Sequence, residues 1–251
     1  MNQNVPLSNT AIAVILGSIL GDGSLKLHKK YANARFSMRH SIKQSEYFYS
    51  KVKLLEEISS TKSVFRQKSD GFSSFDKLRF QSKALSSLTE IYNLTHKKDN
   101  LRIRRKWLNQ MTAISIAIWW FDDGSLISNS RKGVFCTDGF ELRQLKVLVQ
   151  YLYKVWDIYT TIAPVKRSRG GKQREYYRLW IRSTEELKKL LRIVLPYTST
   201  KIMLPKVLLL YKDSQLQQRW ISEVEKNTNF SYEQIEKYVQ DKKKKWKIFR
   251  E

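Results

Sequence analysis

The chain has 251 residues, is 41% hydrophobic and carries 47 Lys and Arg against 23 Asp and Glu, a formal net charge of +24. That length and apolar content allow one large or two small globular domains with a substantial core. The charge far exceeds what solubility requires and sets up a field that attracts a polyanion, most simply nucleic acid. Cys136 is the only cysteine, which excludes a disulfide scaffold or a cysteine-rich zinc site, and three scattered histidines do not restore one.

In chain order, Ser8 is a candidate N-cap for an opening helix that runs to Leu20. The apolar run Ala11 to Leu20 is too short to span a bilayer and lacks a basic flank and a small-residue cleavage site. The expectation is a soluble chain with no signal peptide and no membrane partner. The run closes on "GDG", where Gly23 suits the left-handed position that stops a helix. Next come an extended stretch, "ARFSMRH", and an amphipathic helix around 44–58. A hairpin follows, made of "SVFRQK", a turn at Asp70-Gly71 and "FDKLRFQS", and then a helix over 83–94.

The segment "DNLRIRRKWLNQM" joins this half to the next, and its Trp107 and Leu108 mark it as packed rather than flexible. The second half repeats the order. A helix from about Thr112 to Phe121 stops at Gly124 in the same way, and "GVFCTD" is extended. An amphipathic helix covers 141–156, a hairpin pairs "PVKRSR" with "REYYRLWIRS" around Gly170-Gly171, and a helix closes the unit over 184–194. The run "KKKKWK" at 242–247 reads as solvated or loosely phosphate-contacting.

The repetition extends to single residues. Asp123 in "IAIWWFDDG" falls 101 positions after Asp22 in "ILGSILGDG", and the same offset pairs Leu25 with Leu126, Arg66 with Arg167, and Leu78 with Leu179. Such a register means a duplicated unit and an internal twofold. The expected organisation is an N-terminal unit 1–98, a linker 99–111, a C-terminal unit 112–212 and a basic tail 213–251. Each unit is α+β with the order αββαββα, provided that the extended stretch after each opening helix is itself a hairpin.

Alternation along the hairpin strands separates two faces. In "KLRFQ", Lys77, Arg79 and Gln81 point one way while Leu78 and Phe80 point the other. In "RLWIR" the sets are Arg178, Trp180 and Arg182 against Leu179 and Ile181. One sheet face therefore packs on helices and the other is basic. A two-stranded ribbon fits the major groove of B-DNA, where Arg, Lys and Gln read base edges. The candidate DNA-facing residues are Arg35, Arg39, Arg66, Lys68, Lys77, Arg79 and Gln81 in the first unit. In the second they are Lys166, Arg167, Arg169, Lys172, Arg174, Arg178, Trp180 and Arg182.

With these residues in view, "ILGSILGDG" and "IAIWWFDDG" resemble the two signature helices of the double-motif LAGLIDADG homing endonucleases. Lys97-Lys98 and "PYTSTKIMLPKV" are similar to the organellar intron-encoded branch. The likeness covers about residues 8–212. It implies two pseudo-symmetric units with a saddle of antiparallel sheets and a central two-helix interface. The second motif departs from the first, with Ile118 in place of Gly17 and Asp122 in place of Gly21. Side by side, such helices bring Asp22 and Asp123 together at their C-terminal ends. At ~6 Å and an effective dielectric of ~20 the repulsion is about 3 kcal/mol, before the helix dipoles add to it.

Cations relieve such a pair, and hard oxygen donors suit Mg²⁺, with Mn²⁺ as a substitute. The resemblance implies Asp22 and Asp123 as catalytic and metal-binding residues, with the backbone carbonyls of Gly21 and Asp122 as further ligands. By the same similarity Lys98 and Lys206 are the cations beside the attacking water, with Lys97 and Lys201 as alternative counterparts. The implied activity is site-specific double-strand cleavage of a long asymmetric DNA target by a monomer, leaving 3′ overhangs. A maturase that binds its host intron RNA on the same scaffold is the other reading. Either implies a mitochondrial or chloroplast location.

Overall fold

The computed structural model describes residues 6–69, 75–127, 130–169 and 172–246, without the side chains of Arg167, Arg169 and Lys172. The expected turns at Asp70-Gly71 and Gly170-Gly171, and the end of the "KKKKWK" run, lie outside the described residues. By compactness the chain divides into Met1–Asp122 and Asp123–Glu251. The second signature helix, up to Asp122, therefore packs within the first compact unit.

The first unit opens with α1 (Asn9–Leu20), whose N-terminus is capped by Ser8 Oγ accepting from the Ala11 N–H, as the sequence predicts. The hairpin β1 (Gly23–Lys26) and β2 (Arg35–Ser41) follows, then α2 (Ser45–Leu54), β3 (Val64–Gln67), β4 (Lys77–Gln81) and α3 (Ser86–Thr95). This is the expected αββαββα order. The four strands form an antiparallel sheet in the order β1-β2-β4-β3. Phe36, Met38, Leu78 and Phe80 are buried, so the period-two pattern of the sequence becomes one apolar face under helices.

A small ribbon, β5 (His96–Lys97) with β6 (Asn100–Leu101), leads to α4 (Arg105–Leu108), where Trp107 and Leu108 are buried as expected. The helix α5 (Ala113–Asp123) runs beside α1 and is in tight contact with it at Gly17. A Cβ at Gly17 would lie 2.4 Å from the Ser115 carbonyl oxygen, so only glycine fits there.

One expectation is corrected. Gly23 does not end α1 in a left-handed conformation. It is the first residue of β1, and the helix closes at Gly21 with φ −120°. Gly124 is likewise no helix stop but the first residue of β7, directly after α5 ends at Asp123. Glycine is needed at 23 for space, because a Cβ there would lie 2.7 Å from Ser18 Cβ.

The second unit takes up the chain with β7 (Gly124–Ile127), β8 (Lys132–Phe135), α6 (Leu142–Trp156), β9 (Thr161–Arg169), β10 (Lys172–Ile181) and α7 (Thr184–Val194). Its sheet has the matching order β7-β8-β10-β9. Leu179 and Ile181 are fully buried while Arg178, Trp180 and Arg182 lie on the other face, as the alternation requires.

Beyond residue 213, the stretch expected as a basic tail is folded. It forms α8 (Ser214–Asn227) and α9 (Tyr232–Lys245), which pack on each other through buried Trp220, Ile221, Val224, Ile235 and Val239. Apolar residues at helical spacing within the charged sequence account for this. No helix among the described residues is long and apolar enough to cross a membrane.

Candidate active site and nucleic-acid interface

Asp22 follows α1 directly and reaches solvent, its side chain being 41% exposed. It lines a cleft of about 280 Å³ with Ser24, Lys26, Arg39 and Arg79, so the carboxylate opens onto the basic face of the first sheet. Beneath it lies His40, whose ring is buried against Tyr47 and Phe48 and whose Nδ1 stands 3.5 Å from Asp22 Oδ2.

Asp122 behaves differently. Its carboxylate is fully buried and accepts hydrogen bonds from Lys51 Nζ at 2.9 and 3.0 Å and from Tyr47 Oη at 2.7 Å. It also accepts from the backbone N–H of Asp22 at 3.2 Å. Burial, and then the neighbouring Asp122 carboxylate, push the Tyr47 phenol well above its ordinary range, so it stays protonated and donates. On the inward side of α2, one helical turn apart, Lys51 neutralises this carboxylate and Tyr47 donates a hydrogen bond to it where α1 and α5 close.

Ligand atoms of Asp22, His40 and Asp122 lie within 4.8 Å of one another. Of these, Asp22 presents a solvent-facing hard oxygen suited to Mg²⁺, whereas the Asp122 side chain is committed to Lys51 and Tyr47. Asp123 begins the second unit, and its carbonyl accepts from the Cys136 N–H at 2.9 Å. His40, Tyr47 and Lys51 lie outside the motifs that mark the site in the sequence. A signal existed, since a buried carboxylate in place of a glycine needs a buried cation.

The two candidate lysines sit in different settings. Lys98 is exposed in the turn between β5 and β6, where it and Asp99 take φ of 49° and 60°, and Lys97 beside it is exposed too. Lys206 ends a 3-10 turn, Leu204–Lys206, that packs against β7, the strand that starts one residue after Asp123. Lys201 is exposed in the preceding turn.

The sheet face is basic in register as well as composition. Arg39 lies directly across from Arg79, and Lys26 across from Arg35. In the second unit the backbone register sets Arg174 opposite Arg167 and Lys172 opposite Arg169. Like charges directly opposed are destabilising unless a polyanion lies over them. Arg39, Lys68, Gln81, Arg174 and Arg182 are exposed, and Lys77 and Trp180 are partly so. Two expected members of this face are corrected by the register: Arg66 lies across from Leu78 and Lys166 across from Glu175, so both side chains fall on the opposite face of their sheets.

Several candidates are also engaged within the protein. Arg66 pairs with Asp76, Arg79 lies over the Phe65 ring, and Arg35 lies over Tyr31. Arg178 makes a two-pronged pair with Asp138 at 2.6 and 2.7 Å, and Arg182 hydrogen-bonds Thr161. The Arg178 guanidinium is thus oriented by Asp138.

These features define a duplicated αββαββα protein whose first signature helix leads into a solvent-facing aspartate beside a basic sheet, the class to which nucleic-acid-processing enzymes of this architecture belong. The sequence model of the LAGLIDADG DNA endonuclease family matches residues 12–190, and the chain belongs to that family. The solved homing endonuclease I-WcaI, bound to its DNA recognition sequence, shares the fold with a TM-score of 0.69. Its sequence identity is 18%, over 82% of this chain and 89% of that one.

Among curated proteins, cytochrome b mRNA maturase bI2 of Saccharomyces cerevisiae is 26% identical over 208 residues, 78% of this chain and 47% of the maturase. Protein RecA of Mycobacterium shimoidei is 32% identical over 127 residues, 50% of this chain and 28% of that protein. The chain thus spans less than half the length of these curated relatives.

Proposed function

We propose that the protein is a site-specific double-strand DNA endonuclease that hydrolyses phosphodiesters with Mg²⁺, for which Mn²⁺ substitutes, and leaves 3′ overhangs. The observation that carries this reading is the solvent-facing Asp22 at the edge of a cleft whose other walls are Lys26, Arg39 and Arg79. That carboxylate reaches solvent while the one of Asp122 is buried on Lys51, and Arg39 and Arg79, directly opposed across the sheet, favour an anion over them.

Asp22 and Asp123 are the proposed carboxylate ligands, with the carbonyls of Gly21 and Asp122. When bound, the cation supplies a Lewis acid for the attacking water and the departing 3′ oxygen. The chain's own residues do the rest. Lys77, Arg79, Gln81, Arg39 and Arg35 bind the target in the first unit, with Lys68. In the second, Arg167, Arg169, Lys172, Arg174, Arg178, Trp180 and Arg182 do so. Lys98 and Lys206 place a positive charge near the attacking water and the strained phosphate. The turn of Lys206 packs on the strand after Asp123, which favours it over Lys201.

The twofold is internal to the sequence, so the protein acts as a monomer on an asymmetric target. The units of the repeat are 1–98 and 112–212, joined by 99–111, and the segment 213–251 belongs to neither. The likeness to a cytochrome b mRNA maturase over most of the chain supports an organellar intron origin, in mitochondrion or chloroplast. It also favours a second reading, binding of host intron RNA, as an activity beside cleavage.

Incubating the protein with a randomised duplex library and Mg²⁺, then sequencing the new ends, tests the proposal. One long non-palindromic consensus cut with 3′ overhangs is expected. Recovery of RNA binding with no cut DNA under any divalent cation would leave the maturase reading alone.

A further inference from the structure

The segment after the 3-10 turn Leu204–Lys206 is unusual. Val207 to Leu210 are fully buried, yet residues 208–210 are neither helix nor strand. Buried backbone polar groups need partners, and outside regular structure these must be found elsewhere.

Side chains of the two C-terminal helices provide them. Lys242 Nζ, on α9, donates to the carbonyl oxygens of Pro205 and Leu208, both at 2.8 Å. From α8, Trp220 Nε1 donates to the Val207 carbonyl at 3.1 Å and Gln217 Nε2 to the Leu209 carbonyl at 3.1 Å. Gln217 Oε1 accepts in return from the Tyr211 N–H. Lys206 therefore stands between two residues whose carbonyls are held by different helices, Pro205 by α9 and Val207 by α8.

A lysine inside a run of four lysines is ordinarily a solvated charge. Lys242 is the exception. Burial, with the like charge of Lys245, pushes it down to about 7. Aliphatic or solvent-facing residues would serve packing alone at lower cost, because a buried amine is favourable only where acceptors await it. Both α8 and α9 lie beyond residue 190, where the match to the family's sequence model ends.

We propose that α8 and α9 form a brace that fixes the backbone on either side of Lys206 for DNA cleavage, with Lys242 as a positioning residue acting through the Pro205 and Leu208 carbonyls. This rests on the reading of Lys206 as the cation of the second unit. Lys242 does not meet the DNA. It removes the freedom of a short turn whose lysine must reach a fixed point, and loss of such placement costs on the order of 10- to 100-fold in rate.

The experiment is a double-mutant cycle on the full chain with Lys206→Met and Lys242→Met, read by single-turnover cleavage of the selected target, metal-free DNA affinity and melting temperature. Lys242→Met should slow cleavage about 10-fold or more with affinity unchanged, and should add nothing in the Lys206→Met background, because both act through one group. If Lys206→Met cuts normally, the reading of Lys206 is wrong. If Lys206→Met is slow while Lys242→Met cuts at the parent rate below its melting temperature, Lys242 serves folding only and the brace is overturned. Multiplicative losses overturn it as well. Should Lys242→Met not fold, Trp220→Phe keeps an aromatic ring, smaller than the indole, while deleting the N–H to Val207, and the same two criteria apply to it.

Discussion

Before the aspartate that follows α1 stands Gly21; before the aspartate that closes α5 stands Asp122. A Cβ at Gly21 would lie 2.4 Å from Asp122 Cβ, so the two positions occupy one place and only one of them can carry a side chain. The first copy gives up its side chain. The second keeps a carboxylate and requires Lys51 from α2 to neutralise it and Tyr47 to donate to it. The lesson is that a duplicated helix seam need not be symmetric, provided that the copy carrying the larger group also has a buried partner. The hairpins differ in a similar way. β3 pairs with β4 over four residues, while β9 pairs with β10 over nine, so the second unit extends the longer basic ribbon.

The largest expected effect falls on the asymmetric seam. Lys51→Met leaves the Asp122 carboxylate buried without its cation and should destabilise the protein by about 3–5 kcal/mol in urea unfolding. Adding Asp122→Gly, which makes the second motif read like the first, should recover most of that loss. If Lys51→Met is as stable as the parent, the seam is not held by this pair.

Next come the sheets, where the copies should behave alike. Leu78→Ala and Leu179→Ala, at equivalent positions of β4 and β10, should each lose about 2–5 kcal/mol through a core cavity and leave DNA contacts intact. A weakened affinity without loss of stability in either variant would mean that the strand is in the opposite register.

The smallest effect separates a DNA-facing arginine from its neighbour. Arg178→Ala should weaken target binding by about 1–3 kcal/mol if Arg178 reads a base. It should also lower stability by up to about 1 kcal/mol, because Asp138 loses a partly exposed partner. Adding Asp138→Ala should remove the stability loss and not the binding loss, measured by melting temperature and titration with duplex.

Much of this fold is legible in the sequence, because it rests on local signals. The 101-residue register, the apolar alternation of "KLRFQ" and "RLWIR", the Ser8 cap and the buried Trp107 all follow from spacing and residue type. What escaped depends on contacts between distant elements. His40 is an ordinary inward position of β2 until the fold sets it beneath Asp22. Lys51 is one basic residue among 47 until α2 lies against the end of α5. Gly23 reads as a helix stop, and only the approach of Ser18 and Phe36 shows that it is needed for room. The C-terminal segment misled through its charge, which masked an apolar stripe at helical spacing.

The account stands most directly on the difference between Asp22 and Asp123, proposed to cut, and Asp122, held as structure. Supercoiled plasmid carrying the selected target, treated with Asp22→Asn and Asp123→Asn in Mg²⁺, measures it. Neither variant should give linear product, and both should bind the target within a few-fold of the parent, because the amide removes a metal ligand and leaves the basic sheets in place. Linearisation at the parent rate by either variant would contradict the account.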